Sequence, residues 1–268
     1  MRYFAVDVFT ERLFGGNPAG ICLLDSWPGD ALLQGIAAEN NLSETAFLVK
    51  QDGYWDLRWF SPKMEVDLCG HATMGSAYVL FNFVERDAQE LSFKTASGAL
   101  SVTRGEGGML WMDFPARTAE PVPAYLSLTE AFGTVPAATY RSADLLLVFN
   151  DEETVEGLSP DFAKLRKVKE EASMPSDNFG VIATAPGRES DFVSRFFAPN
   201  LGVDEDPVTG RAHCVLTPYW SARLGKKSLT ARQLSARRGQ LWCEDCGERV
   251  RIGGKVQLYL SGAIEISS

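Results

Sequence analysis

One glutamate stands where a carboxylate could serve as both an acid and a base. Glu44 lies in the segment Asn41–Thr45, between a stretch with helical spacing and an apolar strand that starts at Ala46. An apolar setting would remove part of the carboxylate's hydration, which suits proton transfer near neutral pH. The same residues are also typical of a solvent-exposed glutamate at the edge of a strand, and local sequence alone favours that plainer interpretation.

A second candidate is His71, one of two histidines in the chain. It follows Gly70 at a predicted helix start, where the partial positive charge favours the neutral imidazole. A neutral ring donates one hydrogen bond and accepts another, so we expect His71 to bind or orient a substrate group. Cys69 is a possible nucleophile, but we expect no direct help from His71, which is too close along the chain. His213 lies inside a second predicted helix, where a packing role is expected.

That second helix follows the segment Asp206–Gly210. Pro207 fits the first turn of a helix and Asp206 fits its N-cap. Free backbone N–H groups at a helix N-terminus bind carboxylates. Two such termini facing a cleft would therefore suit a small acid, although Asp206 could equally be no more than a cap.

The elements that must position these residues recur in a fixed order. A strand opens at Ser43-Glu44-Thr45 in one half and at Ser176-Asp177-Asn178 in the other. In each half, a later strand ends in the pattern Arg-aromatic-aromatic-small-Pro, and an acidic loop and a helix follow it. In the first half these features are Arg58–Pro62, Glu65–Asp67 and the helix from Gly70 onward. In the second half they are Arg195–Pro199, Asp204–Asp206 and the helix from Pro207 onward. We interpret this order as an internal duplication with a cleft between the halves.

The duplication predicts two domains, residues 1–117 and 118–268, with the last strand free to return to the first half. The Pro-rich segment Pro115–Tyr125 is the candidate linker. Alternating strands are predicted throughout, and the predicted helices are Asp30–Asn40, Gly70–Val84, Leu126–Phe132 and Ser159–Val168.

Composition excludes several classes of function. The net charge of −9 makes nucleic acid an unlikely partner for these 268 residues. The sequence contains neither an apolar run long enough for a membrane span nor a signal-peptide pattern, so we expect a cytoplasmic protein without membrane contact. Five scattered cysteines do not resemble a disulfide framework. Cys243 and Cys246 are expected at a turn between strands, rather than in a metal or redox site.

A glycine-rich segment, Phe14–Gly20, resembles a phosphate loop only superficially, because neither a helix nor a Lys-Ser/Thr pair follows it. We interpret it as a tight turn that brings Asn17 to the boundary between the halves.

Taken together, four segments resemble the signatures of the phenazine-biosynthesis-protein F-like family, in that family's order. They are Gly16–Gly20, Ser43–Thr45, Cys69–Thr73 and Asp206–Gly210. The family is related to diaminopimelate epimerase. The resemblance implies an α+β fold of two similar halves, each a mostly antiparallel sheet wrapped around a central helix.

The resemblance also implies an isomerase that needs neither metal nor coenzyme. Glu44 would shuttle a proton between carbon atoms of a small carboxylic acid, and His71 and Asp206 would orient the substrate and assist. Polar groups of the substrate would be bound by Asn17, Ser43, Gly70, Gly210 and Arg211. A homodimer is possible.

One residue departs from the family pattern, since Arg211 replaces an expected serine. If it faces the cleft, the substrate carries a carboxylate there; otherwise Arg211 pairs with an acidic neighbour or faces solvent. Two further hypotheses remain open. One is an amino-acid racemase that uses Cys69, and the other is a small-acid-binding protein that has lost turnover.

Overall fold

The structure, a computed structural model, describes residues 1–174 and 178–266, with only the backbone of Glu170. The chain divides into two compact units, Met1–Asp113 with the described residues from Arg251 onward, and Phe114–Val250. The division falls within two strands. The predicted boundary at residue 117 lies close to it, and the last strand packs with the first unit. Among the described residues, no helix is long and apolar enough to cross a membrane.

The described part of the first unit contains two α-helices, eight complete strands and the larger part of two more. The helices are α1 (Asp30–Asn40) and α2 (Gly70–Phe83). The strands are β1 (Arg2–Val8), β2 (Asn17–Leu24), β3 (Glu44–Lys50), β4 (Trp55–Phe60), β5 (Glu65–Val66), β6 (Glu90–Thr95), β7 (Gly98–Arg104) and β8 (Leu110–Pro115), with β17 (Arg249–Gly254) and β18 (Val256–Ala263) near the other end of the chain.

The described part of the second unit contains five α-helices and the remaining strands. The helices are α3 (Leu126–Phe132), α4 (Glu152–Glu156), α5 (Phe162–Leu165), α6 (Val168–Ala172) and α7 (Gly210–Leu224). The strands are β9 (Glu120–Val122), β10 (Ala138–Arg141), β11 (Leu145–Val148), β12 (Val181–Pro186), β13 (Phe192–Ala198), β14 (Val203–Asp206), β15 (Ser228–Gln233) and β16 (Gly239–Asp245).

Strand pairing follows the same order in both units. From β1 to β7, the pairs β1–β2, β3–β4, β4–β5 and β6–β7 are antiparallel, whereas β2–β3 and β4–β6 are parallel. From β10 to β16, the corresponding pairs have the same directions. The fold is therefore α+β, as predicted, and two halves of one pattern build it.

Each unit encloses a helix that follows its short acidic strand. Ten of the fourteen residues of α2 are buried. A Cβ at Gly75 would lie only 2.9 Å from the Val6 side chain, so glycine allows α2 to approach the sheet closely. In the second unit α7 takes the same place in the order, and eight of its residues are buried.

Three local predictions were wrong. Neither acidic segment is simply a loop, because Glu65–Val66 pairs with β4 as β5 and Val203–Asp206 pairs with β13 as β14. The predicted helix Ser159–Val168 is too long, because the helix within it is the short α5, capped by Asp161, and α6 begins only at Val168. The linker segment contains β9, which pairs with β10. The predicted strand start at Ser176 and Asp177 lies outside the described residues.

Candidate active site

The Glu44 carboxylate and the His71 imidazole meet in the first unit. Oε2 of Glu44 lies 3.2 Å from Nε2 of His71, and the two side chains are 21% and 9% exposed. The carboxylate therefore remains within reach of a small molecule, whereas the ring behind it is enclosed. The sequence placed these residues in separate motifs, and the fold brings them together.

The other ring nitrogen of His71 has two neighbours. Nδ1 lies 3.3 Å from Nδ2 of Asn17 and 3.5 Å from Sγ of Cys69. Cys69 and His71 are therefore in contact although they are only two positions apart, and the expectation that His71 gives the Cys69 thiol no direct catalytic help stays a prediction. Cys69 is the N-cap of α2 in extended conformation, and this geometry turns its thiol toward the ring.

Backbone pairing sets the positions of these side chains. Asn17 opens β2 and Glu44 opens β3, and the parallel register places Ala19 opposite Glu44. Asn41 ends α1 in the left-handed conformation, so the chain turns sharply just before Glu44. His71, the second residue of α2, then faces the starts of both strands.

Burial lowers the pKa of His71 from 6.5 to about 4, with a smaller opposing effect from the Pro18 carbonyl. The ring is therefore neutral at pH 7. The sequence predicted this direction from the helix terminus, but the main cause is loss of hydration. A neutral ring offers Glu44 a hydrogen-bonding partner rather than a permanent counter-charge.

Two predicted binding residues adjoin this pair along the chain. Ser43 directly precedes Glu44 and is partly exposed, and Gly70 is the first residue of α2. The N–H groups of the first turn of α2 provide a partial positive charge beside the carboxylate.

Asp206 lies at the end of β14 in the second unit, where it receives a hydrogen bond from Thr209. The distance from Thr209 Oγ1 to Asp206 Oδ2 is 2.5 Å. The prediction that Asp206 is the N-cap and Pro207 the first helical residue was wrong, because α7 begins at Gly210 with Thr209 as its N-cap. Pro207 precedes the helix, and its ring cannot supply the N–H that a continuing strand would need.

A buried glutamine that belongs to none of the sequence motifs stabilises this turn. Gln233 is fully buried, and its amide group donates to the Asp206 carbonyl at 2.7 Å. Its Oε1 accepts from the backbone N–H of Thr209 at 2.9 Å. Asp206 is therefore fixed by its own backbone as well as by Thr209.

Arg211 forms an ion pair with an acidic residue, Asp144, which was one of the possibilities left open by the sequence. Its Nε and Nη2 donate to the two Asp144 oxygens at 2.9 and 2.8 Å, and Asp144 is fully buried. Nη1 and Nη2 also donate to the side chain and the carbonyl of Asn178 at 3.0 and 2.9 Å. The expected substrate contact is therefore unsupported, since Asp144 already neutralises this cation.

The other predictions for this unit have simple outcomes. A Cβ at Gly210 would meet no atom within 4 Å, so the space beside the first residue of α7 is open. His213 is fully buried, as expected, and its Nδ1 lies 2.8 Å from the Thr209 carbonyl. Cys243 and Cys246 are free and lie at the end of β16 and in the following turn, as expected.

Strand register shows which positions in the two units correspond. Thr45 lies opposite Phe60, and Val181 lies opposite Phe197. The position equivalent to Glu44 is therefore Gly180. The N-caps Cys69 and Thr209 correspond in the same way, so that Arg211 stands where the first unit has His71.

Glu44, Cys69 and His71 are also residue types that bind metal ions, and one ligand atom of each lies within 4.8 Å of the others. However, the short contacts to Glu44 and to Cys69 use opposite nitrogens of the ring. A tetrahedral ion takes one nitrogen from each imidazole, so this arrangement fits a hydrogen-bonded cluster better than a metal centre.

Comparison with known proteins is consistent with this geometry. The model of the phenazine biosynthesis-like protein family matches residues 6–262. The chain belongs to this family. An uncharacterized isomerase of Pseudomonas aeruginosa is 51% identical over 99% of both chains, and a second isomerase of that organism is 50% identical over 100% of this chain and 99% of the relative. The chain is an isomerase of this family.

Solved structures agree with the fold. A phenazine biosynthesis PhzC/PhzF protein from Clostridium difficile is 45% identical, covers 99% of this chain and all of its own, and gives a TM-score of 0.92. A probable proline racemase from Agrobacterium radiobacter is only 10% identical but gives a TM-score of 0.65 over 99% of this chain and 93% of its own. This second likeness shows a shared fold alone.

Proposed function

We propose that this isomerase moves a proton between carbon atoms of a small carboxylic acid, with Glu44 as the acid and base. The supporting observation is the 3.2 Å contact between the Glu44 carboxylate and the buried ring of His71. One oxygen of the carboxylate lies beside the ring nitrogen, and the side chain keeps enough exposure to reach a substrate. The reaction requires no net change in atoms or charge.

In the proposed step, Glu44 removes a proton from a carbon atom whose neighbouring unsaturated or carboxyl group accepts the electron pair. The resulting carboxylic acid returns that proton to a second carbon atom. His71 is neutral at pH 7 because burial lowers its pKa to about 4. A neutral ring can accompany both protonation states of Glu44, whereas an imidazolium would hold the carboxylate ionised.

The substrate class is proposed from the groups near Glu44. The free N–H groups at the start of α2 favour an anionic group, and Ser43 adds a hydroxyl beside the carboxylate. For the second unit by itself, we retain the proposal that Asp206 and Gly210 take part in substrate binding. Arg211 is left out of this set because of its pairing with Asp144.

Deuterium uptake tests the role of Glu44. The protein is incubated in D₂O with small unsaturated and cyclic carboxylic acids, dihydro-hydroxyanthranilate among them, and carbon-bound deuterium is followed by NMR. Glu44→Gln keeps the shape of the side chain and removes the transferable proton, so we expect a loss of about 10²–10⁴-fold in uptake. Glu39→Gln makes the same change at an exposed position of α1 and should retain the parent rate. Uptake in Glu44→Gln as fast as in the parent would refute the proposal.

The contact between Cys69 and His71 supports one other mechanism, a racemase with a thiol base. Such enzymes need a second base opposite the first, and the equivalent N-cap in the second unit is Thr209. We therefore favour the glutamate. Cys69→Ser separates the two, since deuterium uptake should persist under our proposal and disappear under the thiol mechanism.

A further inference from the structure

The two ring nitrogens of His71 have chemically different neighbours. Nδ1 lies 3.3 Å from the amide nitrogen of Asn17 and 3.5 Å from the thiol of Cys69. Nε2 lies 3.2 Å from the Glu44 carboxylate. An amide nitrogen can only donate a hydrogen bond, a thiol donates or accepts weakly, and an ionised carboxylate can only accept.

These neighbours favour one tautomer of the neutral ring. The Asn17 amide beside Nδ1 favours a lone pair on that nitrogen, and the Glu44 carboxylate beside Nε2 favours the proton there, while the Pro18 carbonyl is a further acceptor at the ring. We propose that Asn17 is a positioning residue that sets this tautomer and directs the Nε2–H of His71 toward Glu44. This replaces the predicted role of Asn17 in substrate binding, since its side chain is fully buried against the ring.

The backbone conformation before Asn17 restricts the position of its side chain. Asn17 lies opposite Val8 in the antiparallel pair of β1 and β2. The preceding residue, Gly16, has a φ of 62°, and a Cβ there would lie 2.0 Å from the Val8 carbonyl oxygen. Only glycine fits this position, so the chain enters β2 in one conformation and delivers Asn17 to His71.

The second histidine provides an internal reference. Nδ1 of His213 lies 2.8 Å from the carbonyl oxygen of Thr209. A carbonyl oxygen only accepts, so His213 must carry its proton on Nδ1. The chain contains no histidine besides these two. We therefore expect the two rings to be opposite tautomers.

Nitrogen NMR reads this difference directly. In uniformly ¹⁵N-labelled protein at pH 7, two-bond ¹H–¹⁵N correlation of the imidazole rings should give one Nε2–H pattern and one Nδ1–H pattern. The variant His213→Gln assigns them, because only the His71 pattern remains. A protonated Nδ1 on His71, whether as the neutral tautomer or as an imidazolium, would overturn the proposal.

Three variants then test whether Asn17 is the cause. Asn17→Asp is nearly isosteric but places an acceptor at Nδ1, so the His71 pattern should gain a proton on Nδ1. Asn82→Asp makes the same change at an exposed position of α2 and should leave both rings unchanged. Cys69→Ala removes the other donor and should preserve the Nε2–H tautomer. A change of tautomer in Cys69→Ala, or no change in folded Asn17→Asp, would show that Asn17 does not set the tautomer of His71.

The inference rests on the proposed function only for the catalytic purpose of the Nε2–H group of His71. The NMR measurements need no substrate, so they can succeed where deuterium uptake fails, and the reverse. If the wild-type protein shows the expected pair of tautomers while Glu44→Gln retains full uptake, the positioning stands and the catalytic role of Glu44 falls.

Discussion

At the scale of single residues, the cysteines differ sharply in their surroundings. Burial raises the pKa of Cys22, Cys214 and Cys243 to about 12. A thiol with such a pKa is almost wholly protonated at neutral pH, and the thiolate is the form that reacts. Cys246, only three positions beyond Cys243, is exposed and free.

We therefore predict that native alkylation selects Cys246. Short treatment with iodoacetamide at pH 7.5, followed by peptide mass spectrometry, should label Cys246 at least about tenfold faster than the three thiols of high pKa. The same treatment in urea should label all of them. Equal labelling of Cys243 and Cys246 in the folded protein would contradict the burial described above.

At the scale of elements, one ion pair recurs at the same point of both units. Nε and Nη2 of Arg58 donate to the two oxygens of Glu65, and Arg195 binds Glu205 in the same two-pronged way. Each pair links a long strand to the short acidic strand before the central helix. The second pair is more enclosed, with side chains 12% and 20% exposed against 26% and 40% in the first.

This difference predicts unequal costs of the same substitution. Arg195 also donates to the carbonyls of Val155, Glu156 and Leu158, bonds that a lysine cannot reproduce together. We expect Arg195→Lys to lower the free energy of unfolding by about 2–4 kcal/mol. The matched change Arg58→Lys should cost about 1 kcal/mol or less, because that pair is better solvated. Urea denaturation followed by circular dichroism measures both, and equal costs would count against this explanation.

The sequence predicted elements well where a short pattern determines them. Helix α1 begins and ends where its apolar spacing does, and the order of strands around Arg58 and Arg195 revealed the duplication before any coordinates. The entry to α7 was misjudged, because Asp206 and Pro207 also suit a cap and a first turn. Pairing with β13, a contact invisible in local sequence, holds Asp206 in a strand instead.

The candidate site shows the same limit. Family motifs selected Glu44, His71 and Asp206, but local sequence alone would have left Glu44 as a surface carboxylate. The partners of Arg211 and Asp206 could not be found, because Asp144 and Gln233 are distant in sequence. One signal was available, since Asp144 is a charged residue directly before a wholly apolar strand.

At the scale of the whole molecule, the two histidines couple folding to pH. Burial lowers the pKa of both His71 and His213 from 6.5 to about 4. Between those values the unfolded chain binds protons that the folded chain does not, so stability falls as pH falls. Above pH 6.5 both states are neutral, and the histidines add no pH dependence.

We therefore predict that the free energy of unfolding decreases between pH 6.5 and 5 by about 1 kcal/mol per pH unit for each histidine. Urea denaturation at closely spaced pH values measures the slope. His213→Gln should remove about half of it, even if the variant is less stable at pH 7, and His71→Gln should do the same. An unchanged slope in both variants would show that other groups cause the loss at acid pH.

The pairing of Arg211 with Asp144 also limits how this protein can evolve. A serine at position 211 would remove the cation beside the buried Asp144 carboxylate and leave it the Gly180 N–H as a donor. Loss of Asp144 first would leave the guanidinium with the side-chain oxygen and the carbonyl of Asn178. Either single step passes through a weakened protein, so the two positions are expected to change together in a lineage. Related sequences should therefore contain both residues or neither, and a serine at the first position should come with an uncharged residue at the second.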